Sequence, residues 1–241
     1  MHIPDGFLSG PALATGWVVG GVGIAYCLRR VRLEQRERDL PIAGLAGAFF
    51  LVGDAPFLPI TLGTQGHLLG GVLAVSLLGP WLGAVTIAVV AAIQALALGD
   101  GGTTALGLEF VNLALVPAVV GYPLVLLLRR LLPTTPRGLA VACGIAAWVS
   151  VTVAACLFWL EFALGAAVRV DLGTIAGSVV GVYALIGIVE GLITALIVRA
   201  LLGVRPDRVR VGGPLRAARD ERAVRERRAP TPAPARTEQP A

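Results

Sequence analysis

Lysine is absent from the 241 residues, which excludes a Walker A phosphate loop, because that loop needs a lysine ammonium to reach nucleotide phosphates. The chain is therefore not its own P-loop ATPase. Charged residues are also scarce, at 15% against 56% hydrophobic ones, a composition suited to lipid rather than to a water-facing surface. Cys27, Cys143 and Cys156 all fall in apolar segments, with neither the count of a disulfide framework nor metal-ligand spacing, and read as small hydrophobes. Histidine occurs only at His2 and His67, and no internal serine or cysteine has one nearby, so nucleophilic hydrolysis has no local constellation. The net charge of +5 comes from arginines gathered in short runs instead of one basic face, which argues against a nucleic-acid partner. No basic region precedes the first apolar stretch, so no cleavable signal is expected and the mature chain is expected to begin at Met1 or His2.

What is abundant is apolar length. Mean hydropathy is +0.81, and a bilayer core about 30 Å thick takes roughly 20 apolar residues per helix. Apolar runs at about 8–28, 40–62, 66–79, 81–99, 106–128, 138–164 and 174–202 predict an all-α, polytopic membrane protein with about seven transmembrane helices. Asp54, Pro56 and Pro59 interrupt the second run and the third is short, so those two are expected to be broken or tilted.

Arg29, Arg30, Arg32, Arg36 and Arg38 follow the first run, Arg129, Arg130 and Arg137 the fifth, and Arg199 with a basic tail the seventh. The positive-inside rule makes these places cytoplasmic, with the amino terminus outside and the carboxyl terminus inside a plasma (inner) membrane. The leader 1–7, the loop 62–66, the loop 99–105 and the loop around 161–173 then share the external face. Residues 1–202 form the predicted membrane domain. Residues 203–241, rich in Arg, Pro and Ala, form a cytoplasmic tail expected to be largely disordered.

Both histidines fall on that external face. A lone His67 among glycines would pass as structural, but His2 occupies a position with its own chemistry. The Met1 α-amine, the deprotonated His2 amide and the His2 imidazole can close five- and six-membered chelate rings on one ion, leaving an in-plane position for His67. Such a four-nitrogen field suits Ni(II) or Cu(II). Met1, His2 and His67 are thus the candidate metal ligands. Asp5, Gln65, Gln94, Asp100 and Asn112 are candidates to anchor the leader or orient the ligands. Gly63 and Gly66 leave room for a folded-in terminus, while Thr103 and Thr104 also suit an ordinary turn and cap. Asp54, Glu109, Glu161 and Glu190, carboxylates in or near apolar runs, invite a functional reading without forming a catalytic pair.

The opening Met1-His2-Ile3-Pro4-Asp5-Gly6-Phe7-Leu8-Ser9 resembles the signature start of the nickel/cobalt substrate-binding membrane components of energy-coupling-factor transporters, the CbiM/NikM family. Gly63-Thr64-Gln65-Gly66-His67-Leu68-Leu69-Gly70-Gly71, Leu78-Gly79-Pro80-Trp81, Gln94-Ala95-Leu96 and Gly99-Asp100-Gly101-Gly102 resemble its later motifs, over about residues 1–200. The resemblance implies a seven-helix fold with a tucked-in amino terminus holding Ni(II) or Co(II) through Met1, His2 and His67. It also implies partners: a transmembrane coupling subunit, cytosolic ATPases and a small additional membrane protein. The chain would be the specificity subunit, with no resident cofactor and no enzymatic activity. It departs from the pattern at Glu109, where an asparagine is expected, at Gln65, more often serine, and in the acidic segment around Asp54 and Pro56. The rival readings are a metal-free membrane scaffold and a stand-alone channel or carrier.

Overall fold

The computed structural model describes residues 1–34, 39–56, 58–60, 65–169, 171–213, 215 and 217. Among them, seven helical stretches follow one another: α1 (Gly10–Glu34), α2 (Leu40–Gly53), α3 (Gly71–Leu78), α4 (Pro80–Ala97), α5 (Leu106–Leu131), α6 (Pro136–Gly165) and α7 (Leu172–Val204). Five of these, α1 and α4 to α7, are long and apolar enough to cross a membrane. The expected all-α, multi-pass architecture is the one observed.

The sequence punctuates these helices at their ends. Pro80 and Pro136 open α4 and α6, where the missing N–H costs nothing. Thr135 caps α6 by accepting the Gly138 N–H at 3.0 Å, and Asp171 caps α7 by accepting the Thr174 N–H at 2.8 Å. Within α5 the backbone widens into π-type turns over Phe110–Leu115 and Pro117–Gly121, around a proline that cannot donate to the helical ladder.

The second and third runs are shorter than their apolar length suggested. Helix α2 stops at Gly53, and the chain continues as a small antiparallel ribbon of β1 (Leu58–Pro59) and β2 (Gln65–Gly66), with Leu58 opposite Gly66 and Pro59 opposite Gln65. The carboxylate of Asp54 and the two prolines that follow prevent the helix from continuing. Helix α3, of eight residues, rises about 12 Å and cannot cross a bilayer. All of its residues but Leu77 are buried, so it serves as an interior half-helix.

Small residues bring the long helices together. Gly144 of α6 faces Gly191 of α7, where a Cβ would stand 2.7 Å from the opposing carbonyl oxygen, and α6 buries Ala140, Ala146, Ala147, Ala154 and Ala155. Outside, Val18, Val22, Leu45, Val52, Leu96, Val119, Leu164 and Leu192 are exposed, the apolar belt expected against lipid. Cys27 and Cys143 are buried and Cys156 exposed, all as free thiols.

The two ends of the bundle differ in chemistry. At one end the Arg30 guanidinium lies 5.4 Å over the Trp81 ring, Arg129 donates to the Val211 carbonyl at 3.2 Å, and Arg210 lies beside Gly79. Val209 and Val211 are buried there, so the packed body extends past residue 202 into the segment expected to begin the tail; residues 218–241 lie outside the described part. At the other end Ser9 donates to the Gly165 carbonyl at 2.8 Å, Ala167 to Phe7 at 2.9 Å, and Gly102 to Ile3 at 2.9 Å. The leader, the loop 99–105 and the loop after α6 thus share one end, as the alternation of spans requires.

Helices α1 and α5 cross closely at Gly107, where a Cβ would sit 2.5 Å from Trp17 N and Cα. Gly107→Val is expected to cost roughly 1–3 kcal/mol or more by overpacking and to lower the melting temperature in detergent. Gly21→Val, at a position with nothing within 4 Å, should leave it unchanged.

Candidate metal centre

Met1, His2 and Ile3 belong to no helix, yet they are 1%, 3% and 0% exposed. Ile3 is tied to α5 and to the loop before it: its N–H donates to Glu109 Oε1 at 3.3 Å and its carbonyl accepts from Gly102. This approach requires glycine. At Gly101, with φ of +102°, a Cβ would lie 2.7 Å from Glu109 Oε1 and 3.0 Å from His2 Nδ1, and at Gly102 it would lie 2.6 Å from the Ile3 oxygen. Asp5 closes the clamp by accepting from the Thr104 N–H at 2.9 Å and from the Thr104 and Thr103 hydroxyls. Those bonds hold its carboxyl below the usual range, against a smaller effect of burial.

The buried terminus places the Met1 amine in hydrogen-bond contact with His67 Nε2. His67 Nδ1 lies 2.7 Å from the Leu68 carbonyl, which can only accept, so Nδ1 is assigned the proton and Nε2 the lone pair that faces the amine. Burial, followed by the neighbouring amine and His2, holds the His67 imidazole well below its ordinary pKa. Burial pushes the Met1 amine down to about 5, although Glu109, Asp100, Asp54 and Glu190 pull it upward. At neutral pH both groups are therefore neutral nitrogen donors.

The His2 ring stacks on that of His67, with centroids 4.8 Å apart and planes 13° from parallel. Its Nδ1 stands 3.1 Å from Glu109 Oε2 and its Nε2 3.7 Å from Asp100 Oδ2, close enough for ion pairing but not aligned as hydrogen bonds. Met1, His2 and His67 are thus brought together from 66 residues of separation, with the two imidazoles in parallel layers instead of one plane. The chelate would require the His2 ring to leave this stack. Among the described residues no three His, Cys, Asp or Glu side chains form a metal-holding group.

The residues expected to orient the ligands divide. Asp5 anchors the leader and Asp100 faces His2. Gln94 instead hydrogen-bonds Asp54 at the end of α2, and Asn112 donates to both oxygens of Glu161 at 3.0 Å, tying α5 to α6. The side chain of Gln65 and the residues Gly63 and Thr64 lie outside the described part. Two buried carboxylates prove more central than their sequence neighbourhoods indicated. Glu109, 0% exposed, meets Ile3 and His2, and Glu190 accepts the Leu69 N–H at 2.7 Å, holding the backbone just after His67. Both stood out as carboxylates in apolar runs, but nothing in the sequence said which loop they face. Tyr183, whose hydroxyl hydrogen-bonds the His67 backbone, carried no signal at all.

The family profile described as "Cobalt uptake substrate-specific transmembrane region", CbiM, matches residues 2–208. The chain belongs to the CbiM family. This family member is 35% identical over 209 residues to a protein of Haloquadratum walsbyi named for metal transport, covering 87% of this chain and 93% of that one. It is 34% identical over 162 residues to the fused nickel transport protein NikMN of Rhodobacter capsulatus, covering 67% of this chain and 47% of the fused protein, about half its length. A crystal structure of a truncated transition metal transporter superposes with a TM-score of 0.77 at 28% identity, covering 84% of this chain and 99% of that one. A second, of a transition metal transporter, gives 0.78 at 28% identity, covering 85% and 93%. The family and the helices together make the chain a multi-pass membrane protein.

Asp5→Asn should weaken the carboxylate cap on Thr104 by about 1 kcal/mol. The expected outcome is about fivefold faster hydrogen exchange at the Gly102 and Ile3 amides, with helix content unchanged.

Proposed function

We propose that this chain is the substrate-specificity subunit of an energy-coupling-factor uptake transporter for Ni(II) or Co(II), capturing the ion on the extracytoplasmic face. The observation that carries the reading is the buried Met1 amine against His67 Nε2 with the His2 ring stacked beside it. A neutral amine and a neutral imidazole nitrogen meeting in a buried place form a donor pair suited to a borderline-soft divalent ion. The His2 amide and Nδ1 complete the set once the ring leaves its stack. Glu109 and Asp100, the carboxylates beside His2, offset the charge of the cation.

Asp5, Thr103 and Thr104 hold the leader down, Glu190 and Tyr183 hold the His67 loop, and the Leu68 carbonyl fixes the imidazole's proton on Nδ1. The chain supplies selection and enclosure. A transmembrane coupling subunit, cytosolic ATPases and a small additional membrane protein supply energy and assembly; the lack of lysine, hence of a P-loop, supports placing ATP hydrolysis on another polypeptide. The arginine-bearing end lies in the cytoplasm and the leader outside.

His67→Ala and His2→Ala in the untagged protein should each weaken Ni(II) binding at least a hundredfold in equilibrium dialysis while the protein stays in the membrane fraction. Normal affinity in both would refute the ligand assignment. A tag ahead of Met1 converts the amine into an amide and should have an effect of the same order. Because protons compete with the ion for the amine and the His67 imidazole, affinity should fall as pH is lowered. With the amine at about 5, its protonation accounts for about a twofold loss at pH 5, and release of the His2 amide proton on binding adds about tenfold per pH unit, so affinity should be more than tenfold weaker at pH 5 than at pH 7 in a competitive chelator titration. Metal-dependent flux in vesicles holding this chain alone would favour a stand-alone carrier instead.

A further inference from the structure

Glu109 is fully buried and touches the leader twice. Its Oε1 accepts the Ile3 N–H at 3.3 Å, while Oε2 has no hydrogen-bond partner among the described residues and lies 3.1 Å from His2 Nδ1. The carboxylate therefore lies against the leader with one oxygen available to an ion held there. Gly101 keeps a side chain from coming between, since a Cβ there would fall against both groups.

Charge points the same way. A divalent ion bound by the amine, one deprotonated amide and two neutral imidazoles carries a net charge of +1 into a buried site, and one carboxylate brings it to zero. Asp100 also faces His2, but its side chain is 24% exposed and shares its charge with water, whereas Glu109 has no such outlet.

Resting on Met1, His2 and His67 as ligands, we propose that Glu109 gives a carboxylate oxygen to the transported ion as an additional donor, and that this donor turns the site's preference from Ni(II) towards Co(II). A planar set of four nitrogens suits Ni(II) and Cu(II). A further, harder oxygen donor makes the site five-coordinate, which removes the advantage that planar geometry gives to Ni(II) and accommodates high-spin Co(II).

The test compares the untagged full chain with its Glu109→Gln variant, which keeps an oxygen for the Ile3 N–H and loses the anionic donor. Competition between Ni(II) and Co(II) should show the ratio of Co(II) to Ni(II) affinity falling at least tenfold in Glu109→Gln. Electron paramagnetic resonance of bound Co(II) should change from high-spin in the wild type to low-spin planar in the variant. Equal ratios and equal spin states in the two proteins would overturn the proposal while leaving the nitrogen ligands intact. Should the variant not fold, the wild type alone decides: high-spin Co(II) supports the oxygen donor and low-spin planar Co(II) overturns it. A wild type that binds neither ion would remove the ligand reading itself, and this proposal with it.

Discussion

The contact between the Met1 amine and His67 Nε2 is the constraint around which the rest of this end of the molecule is arranged. A chain terminus ordinarily stays in water, because burying an ammonium is costly. Here burial leaves the amine neutral, although four carboxylates pull the other way. Bringing the terminus inside requires a loop without side chains at Gly101 and Gly102, a clamp at Asp5, and an acceptor for the Ile3 N–H. Each of these is a local solution to one demand, that two nitrogens meet in a dry place.

The helices serve the same demand from the other side. A full-length third span would carry the His67 loop to the surface, whereas a half-helix of eight residues lets it dip into the bundle. Gly70, at φ +65°, makes the turn into that half-helix, with the Phe50 ring 2.6 Å from where a Cβ would be. Glu190 and Tyr183 of α7 then hold the backbone leading into the turn, at Leu69 and His67. The broken second and third spans are thus a positioning device, an instance of irregular backbone at membrane depth being tolerated where protein surrounds it.

A division of labour along the bundle axis follows. One end concentrates arginines, with Arg30 on Trp81, Arg129 on Val211 and Arg210 beside Gly79. The other concentrates nitrogen and carboxylate groups around the leader. Membership of the CbiM family and the fold shared with transition metal transporters suit metal transport across a membrane, and the exposed valines and leucines supply the lipid-facing belt.

Much of the fold could be read from residue order alone. Apolar runs set the number and sequence of helices, prolines and capping residues set their ends, and the alternation of spans put the leader and the loop 99–105 on the same end, because these are properties of local chain chemistry. His2 and His67 were also legible, since only two histidines exist and one occupies a chelating position. Which carboxylate faces the leader was not, because Glu109, Glu161 and Glu190 look alike in apolar surroundings and only helix rotation and packing choose among them. Asn112 and Gln94 went to Glu161 and Asp54 instead of His67 for the same reason. The sequence by itself determined a multi-helix membrane protein with a histidine-bearing leader; tertiary packing alone decided that Glu109 and Tyr183 attend the site, since contacts across about 100 residues leave no mark on the local pattern that precedes them.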